Sequence, residues 1–389
     1  MPPPSSPAAA GGAPPLKAMI MVAHAAGRGQ RRGAGGHEVC SLNTLDLWDR
    51  RRVIPLVAYS SDGPLAHLVG AAAGYYDISF TGGALLKNFR RLVGALRDSG
   101  AAVVHSYGPV AADFLTVAAA RRAGVASVIT RPVVIADLKD PAPVKAALRL
   151  LDRYTLRAAD RVVAICEHGR QALLQDGCPG HKLSVIYNGV DPARFGPEAA
   201  PEAELRAWAG GDLLIGMCAQ MTPVKRHDLL LAALARGRAQ GRRWRVVLAG
   251  DGPRRGELER LAGELGVAEA VRMLGFVHRT EAVYAACDLV VLPSDREGFP
   301  LTLMEAMSCG RAVAASDAGG TAELIADCGL LLTRGTAGEL YQALVRLEDP
   351  VLRARLGQAG RAKVQRLYTI EGMIKAQEEL YLQAAGARR

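Results

Sequence analysis

Two glutamates and a lysine carry the chemistry that can be read from this chain. Glu297 stands just before Gly298, Phe299 and Pro300, and Glu305 follows eight residues later inside the apolar run "PLTLMEAMS". The preceding "DLVVLPS" reads as a buried strand, so "DREGF" falls on the loop at its carboxyl end. Pro300 suits a first helical position, since it has no amide hydrogen to leave unsatisfied, and Gly310 suits the stop after a three-turn helix. The first free amides of that helix, from Phe299 to Thr302, would carry roughly half a positive charge between them. That is an anion site of the phosphate-binding kind. A carboxylate on each side of a bound phosphate could accept hydroxyl hydrogen bonds from a sugar and from a ribose, worth about 1.5–3 kcal/mol each. The same spacing suits a helix that merely begins with one acid and exposes another. Spacing alone does not choose.

Lys225, in "QMTPVKRHDLL", answers a separate need. Departure of a nucleoside diphosphate builds negative charge that something must stabilise. Sugar transferases that use a metal for this commonly carry an Asp-x-Asp pair, and none occurs in the chain. A cation about 4 Å away is worth about 4 kcal/mol at an effective dielectric near 20, so Lys225 with a helix terminus could replace the metal. Taken by itself, a lysine in a loop is usually a solvated surface residue.

Alternating strands and helices must position these groups. At 389 residues the chain is too long for one ordinary core, which points to two domains. The front half opens with the apolar strand "AMIMVAH" and the basic loop "AAGRGQRRGAGG", after which a helical pattern starts at His37 with Val39, Leu42, Leu45 and Trp48. "VIPLVAY", "AAVVHSY", "ASVITRP" and "DRVVAIC" read as further strands, and residues 110–123 as a helix closing on Gly124. "KLSVIYNGVDPARFGPEAAPEAEL" has the composition of a linker. A second series follows with "LLIGMCAQ", "WRVVLAG", "AVRMLGF", "DLVVLPS" and "RAVAAS". Such alternation predicts doubly wound parallel sheets, whose ligands bind beyond the carboxyl ends of the strands, here in a cleft between two domains. The expected division is a disordered tail over 1–15, domains over 16–185 and 186–365, and a terminal helix over 366–389.

The bulk properties narrow the setting. No run approaches the roughly 20 apolar residues that cross a bilayer, and the Pro- and Ala-rich start lacks the features of a signal peptide. Seven scattered cysteines without a C-x-x-C suit reduced thiols in a cytosol rather than disulfides or a zinc site. The net charge of +10 is lopsided: residues 1–180 hold 21 Lys and Arg against 13 Asp and Glu, and residues 181–389 hold 27 against 25. A basic front half points to an anionic partner, unless it is simply the solvated surface of a basic protein.

The E-x7-E element of Glu297 and Glu305 resembles that of retaining glycosyltransferases of family 4, which have the GT-B fold. The likeness extends over "VVLAGDGPRRGELERLAGELGVAEAVRMLGFV" and "YAACDLVVLPSDREGFPLTLMEAMSCGRAVAASDAGGTAELI" in the donor domain. "KLSVIYNGVDPARF" resembles the interdomain linker and "GAGGHEV" the front-domain glycine loop, followed by "DGPLAHLVGAAAG". The resemblance implies an α/β chain of two Rossmann-like domains facing across a cleft, with the C-terminal helix returning to the N-terminal domain. It implies that Glu297 holds hydroxyls of the transferred hexose and Glu305 the ribose. The backbone from Gly298 through Phe299 and Pro300 to Leu301 would hold phosphate, Lys225 would pair with the diphosphate, and Phe276 and Val277 would lie against the base. Gly35 and Gly36 would let the front loop approach the phosphate or acceptor, which a side chain would prevent. Two positions depart from the family pattern. Gln220 stands where an arginine is frequent, which would weaken diphosphate pairing unless Arg226 substitutes, and Arg131 with Pro132 stands where the front domain often has a histidine. His105 matches another common histidine position and would face the sugar, unless it is a satisfied structural residue. His37 and Arg131 would lie on the acceptor side.

The expectation is therefore a hexosyltransferase that retains anomeric configuration and moves sugar from a nucleotide diphosphate to a hydroxyl of a glycan or lipid-linked glycan, as in polysaccharide or lipopolysaccharide synthesis. It would need no metal and no cofactor, and would work in the cytoplasm or peripherally at the inner face of an anionic membrane. Within the same fold, a catalytically silent sugar-nucleotide binder and a sugar-nucleotide epimerase remain alternatives. A nicotinamide enzyme is disfavoured because "AGDGPRRG" has Arg255 at the third glycine position, and the chain has no P-loop lysine motif. Nucleic-acid binding lacks any aromatic-interleaved basic stretch.

Overall fold

In the computed structural model, which describes residues 14–22, 41–42, 44–60, 66–78, 85–132 and 142–388, the apolar runs become strands of two sheets. The first sheet has seven strands: β1 Leu16–Val22, β2 Val53–Tyr59, β3 Gly74–Asp77, β4 Val103–Tyr107, β5 Ala126–Arg131, β6 Arg161–Ala164 and β7 Leu183–Val185. Their order across the sheet is β3-β2-β1-β4-β5-β6-β7. The second has six: β8 Leu213–Cys218, β9 Trp244–Ala249, β10 Val271–Gly275, β11 Leu289–Leu292, β12 Ala312–Ser316 and β13 Leu330–Leu332, in the order β10-β9-β8-β11-β12-β13.

Pairing is parallel on both sides of the first strand of each series. Leu16 lies opposite Val53 and Ala18 opposite Val103, while Leu213 lies opposite Trp244 and Ile215 opposite Leu289. A parallel strand covered on both faces must be apolar at consecutive positions rather than at alternate ones. β4, β11 and β12 are accordingly buried at every residue. β3 went unforeseen because its edge position leaves it alternately half-buried and exposed, with no apolar run to mark it. β7 takes three residues from the start of the expected linker, since Leu183 pairs with Val162 and is buried.

Each strand order reverses once, between β1 and β4 and between β8 and β11. The loops leaving the carboxyl ends of those strands are where open α/β sheets bind ligands. The helix Val110–Ala123 ends as its sequence predicts. Gly124 adopts φ 78°, a left-handed conformation, and its amide turns back to the carbonyls of Ala120 and Arg121.

The chain divides into two compact units. One runs up to Ile129 and adds Ala158–Arg161 and Gln377–Arg389; the other holds Thr130–Arg157 and Val162–Ala376. The end of the terminal helix Ile370–Gly386 thus belongs with the front strands, as expected of a returning helix. Tyr381, fully buried, stacks on Trp48 at 5.5 Å, and its hydroxyl lies 2.6 Å from Nδ1 of His105. Glu378 pairs with Arg52 at 2.7 Å, and Arg388 with Asp160 at 3.0 Å.

Tyr381 should therefore be a keystone of the front unit. Tyr381→Ala is expected to cost about 3–5 kcal/mol in urea unfolding, and Tyr381→Phe about 1–3 kcal/mol because a buried polar partner is lost. Equal stability of wild type and both variants would contradict this packing.

Candidate functional site

The loops leaving β8 and β11 meet. The amide of Asp295 donates to the carbonyl of Val224 at 2.8 Å, and Nζ of Lys225 lies 2.6 Å from Oε1 of Glu297. The lysine side chain is 26% exposed and the glutamate 10%, so the pair faces the surface from a largely desolvated base. Arg226 follows at φ 53°, the only left-handed conformation of a non-glycine residue among the described residues, at a cost on the order of 1 kcal/mol. Its guanidinium pairs with Asp295 at 2.8 Å and with Asp228 at 3.1 Å, and Asp228 also pairs with Arg254 at 3.2 Å. Burial works against ionisation of Asp228, but the two arginines outweigh it and hold the carboxyl below its usual range. Arg226, expected to contact the donor, thus serves in this structure as a strut between the two loops.

Both loops rest on glycine. A Cβ at Gly319, where φ is 56°, would overlap the carbonyl oxygen of Glu297. The amide of Gly320 donates to the carbonyl of Gly298 at 2.8 Å, and a Cβ at Gly298 would overlap the carbonyl of Pro132. On the other loop, Gly250 and Gly252 lie against the carbonyls of Ala219 and Met221, and the amide of Met221 donates to Asp251 at 2.9 Å. "AGDGP", which superficially suggests a dinucleotide fingerprint, is therefore a support for the loop that carries Lys225. Sequence reading overlooked Gly319 and Gly320; the available signal was a Gly-Gly pair just after a buried strand.

The helix Leu301–Ser308 leaves this platform. Pro300 caps it rather than occupying its first turn, and its eight residues make it shorter than the three turns expected. It stops at Gly310, where φ is 71°. The bond from the Met304 amide to the Pro300 carbonyl at 3.3 Å closes the first turn, so the amides of Leu301, Thr302 and Leu303 precede it as donors at a helix start. Phe299 is buried, with the rings of Tyr187 and Tyr368 each 5.2 Å away. Tyr187 in turn donates to Glu323, whose other oxygen accepts the Glu167 amide at 2.9 Å.

Glu305 lies half-buried deeper in the helix, and the hydroxyl of the buried Tyr284 donates to its Oε2 at 2.8 Å. Burial pushes its carboxyl up to about 7, against the opposing effects of Tyr284 and Arg194. Thr302 ties the same helix to the end of β8 through the Cys218 carbonyl at 2.8 Å. Phe276 is 63% exposed with its ring 4.9 Å from that of His278, while Val277 is half-buried against the core of this unit. Arg194 donates to the His278 carbonyl at 3.0 Å and pairs with Glu281, fixing the segment that carries Phe276. Tyr284, Arg194 and Glu281 had no motif to announce them.

Gly35, Gly36 and His37 fall outside the described residues. His105 is fully buried beside Tyr381, and burial lowers its pKa to about 3, so it is neutral at pH 7. Arg131 is buried with Nε 3.1 Å from Asp152. Among the described residues, no group of three or more His, Cys, Asp and Glu side chains could hold a metal ion.

Two family models match the chain: one described as Glycosyltransferase Family 4 over residues 34–194, and one as Glycosyl transferases group 1 over residues 212–349. Among curated proteins, the D-inositol 3-phosphate glycosyltransferase of Nocardia farcinica is 32% identical over 64% of this chain, and the match spans 58% of that protein. The alpha-D-kanosaminyltransferase of Streptomyces kanamyceticus is 28% identical over 76% of this chain and 81% of its own length. The GDP-mannose-dependent alpha-mannosyltransferase of Mycolicibacterium smegmatis is 30% identical over 62% of this chain and 63% of its own. Anabaena Alr3699/HepE in complex with UDP superposes with a TM-score of 0.79 at 21% identity, covering 94% of this chain and 99% of that one. Sucrose-phosphate synthase from Thermosynechococcus elongatus gives 0.74 at 21% identity, over 95% and 100%. These structural likenesses show the shared GT-B fold of two parallel-sheet α/β domains.

Two measurements check the site's construction. Gly319→Ala should displace the Glu297 loop and lower stability by about 1–3 kcal/mol, whereas Gly256→Ala, with open space around it, should not. The Glu305 carboxyl titrates near 7 when folded against a reference of 4.5, so the folded chain holds the extra proton between those values. Its contribution to stability therefore falls as pH rises from 4.5 to 7. Glu305→Gln should be more stable than wild type at pH 8, by about 3 kcal/mol, and similar to it at pH 4.5. A constant difference across that range would place the titration elsewhere.

Proposed function

The chain belongs to glycosyltransferase family 4, and from that membership we propose that it is a retaining transferase moving a hexose-type unit from a nucleoside-diphosphate sugar to a hydroxyl of a glycan or lipid-linked glycan, without a metal. The observation that carries this reading is the Lys225–Glu297 pair, held at the carboxyl ends of β8 and β11 beside the first amides of the helix Leu301–Ser308. A cation, a carboxylate and aligned amide donors at one place match the three chemical demands of a sugar diphosphate.

In this reading the donor exchanges partners with the pair. Lys225 turns from Glu297 to a phosphate oxygen, and Glu297 accepts hydroxyl hydrogens of the sugar. Because the two charges neutralise one another beforehand, neither has to be stripped of water alone when the donor arrives. The amides of Leu301 to Leu303 receive the remaining phosphate charge, which grows as the glycosidic bond to phosphate lengthens. Glu305 offers Oε1 to ribose hydroxyls while Tyr284 occupies Oε2. Phe276 supplies an exposed ring for the base. The acceptor hydroxyl attacks from the face the leaving group vacates, passing its proton to the departing phosphate. A fold neighbour binds UDP and UDP-glucose, and a relative is GDP-mannose-dependent, which supports a nucleotide-sugar donor.

The basic front half supports an acidic or lipid-linked acceptor and a cytoplasmic protein working at the inner face of an anionic membrane. No helix among the described residues is long and apolar enough to cross a membrane.

Kinetics test the assignment. Glu305→Ala should raise the donor KM about 10- to 100-fold with kcat within a few-fold, and Glu297→Ala should lower kcat about 100-fold. Wild-type kinetics in both variants would refute it. In thermal-shift experiments with UDP-, GDP- and ADP-sugars, the true donor at 100 times its Kd should stabilise the protein by about 2.7 kcal/mol, and the others by far less.

A further inference from the structure

We propose that the outward face of the helix Ala142–Ala158 docks the protein on an anionic lipid bilayer. The helix is held from its inner face, where Asp152, Thr155 and Leu156 are buried and Asp152 pairs with Arg131. Away from them, Leu150 is 72% exposed and Tyr154 55%, and Val144, near the first turn, is 44% exposed. Among the described residues no other helix exposes three large hydrophobic side chains. At 100° per residue these fall on one side of the helix with Ala147. Arg149, Arg153 and Arg157, all exposed and spaced by four, form a stripe directly beside them.

The charge of this face selects the partner. Its only acid is Asp152, which is buried, so among the described side chains the exposed charge of the helix is positive. Lys182 adds a positive charge at the carboxyl end, with Nζ 2.7 Å from the Arg157 carbonyl. Asp176, which feels Arg149, is half-buried and does not offset the stripe at the surface. An apolar crest with cations along one flank fits the boundary of a bilayer. There Leu150 and Val144 enter the acyl layer while the arginines reach lipid phosphates, their own carbon stems lying on the apolar surface. This inference takes its choice of an anionic bilayer from the proposed setting of the enzyme and gives that setting a surface. It does not depend on the transfer chemistry, so docking and catalysis are read separately.

The test uses the full chain in sedimentation with vesicles of phosphatidylglycerol and phosphatidylcholine, against vesicles of phosphatidylcholine alone. The wild type should partition to the mixed vesicles and not to the neutral ones. Each arginine near the surface is worth about a fivefold change in partitioning, so Arg149→Gln, Arg153→Gln and Arg157→Gln together should reduce it about 100-fold. Leu150→Glu should reduce it at least about tenfold, since it removes apolar burial and adds a repelled charge. All four positions are exposed, and the variants should keep the wild-type Tm and the wild-type shift on adding nucleotide-sugar. Equal binding to both kinds of vesicle overturns the proposal. So does wild-type partitioning of these variants, which would move docking to another basic surface such as Lys87, Arg90 and Arg91. A dimer in light scattering that Leu150→Glu dissociates, without vesicle binding, would assign the face to a second copy of the chain and overturn it too.

Discussion

The geometry at the centre of this protein depends on two loops being pressed closely enough for a lysine and a glutamate to touch. Lys225 and Glu297 are far apart in sequence, and the reversal of strand order between β8 and β11 alone makes their loops neighbours. Neighbouring loops would normally keep side chains between them. Here Gly250 and Gly252 beneath one loop, and Gly319 and Gly320 beneath the other, let backbone lie on backbone. The charged side chains are what remains at the surface. Rigid support of this kind separates a site that merely contains the right groups from one that holds them in position.

Around that contact lie two further sets of polar and charged groups. Arg226, Asp228, Arg254 and Asp295 form a chain of ion pairs at the rim that links the loops after β8, β9 and β11. Glu305 with Tyr284 forms the other. The chain of ion pairs is screened and contributes chiefly orientation. The Glu305 carboxyl is the one whose affinity for a proton is most altered, because burial leaves water least able to stabilise its charge.

Much of the fold was legible in the sequence, and for a physical reason. Strands buried on both faces write themselves as unbroken apolar runs, so β4, β8, β9, β11 and β12 were visible at once. The edge strand β3 was not. Helix punctuation was legible at Gly124 and Gly310, because each needs a left-handed backbone that only glycine adopts cheaply. At the candidate site, Glu297, Glu305 and Lys225 could be picked out by residue type and motif. Their partners could not. Tyr284 reaches Glu305 through helix packing, and Tyr381 reaches His105 from the far end of the chain. Arg131 is an ordinary surface-type residue until Asp152 accompanies it into the interior. Local pattern records what a residue prefers, whereas these pairings are fixed by how the sheets are wound.

The placement of Gln377–Arg389 with the front strands bears on how the molecule is made. On a ribosome, β1 to β5 emerge before the helix Ile370–Gly386, so the face that Tyr381 seals against Trp48 and His105 stays uncovered until that helix follows. The rear unit, whose segments lie between, can be complete while the front one still waits for its last piece. Vectorial synthesis therefore imposes an inverted schedule: the front strands are made before the rear unit yet are completed after it, and their exposed apolar surface must be shielded in the interval.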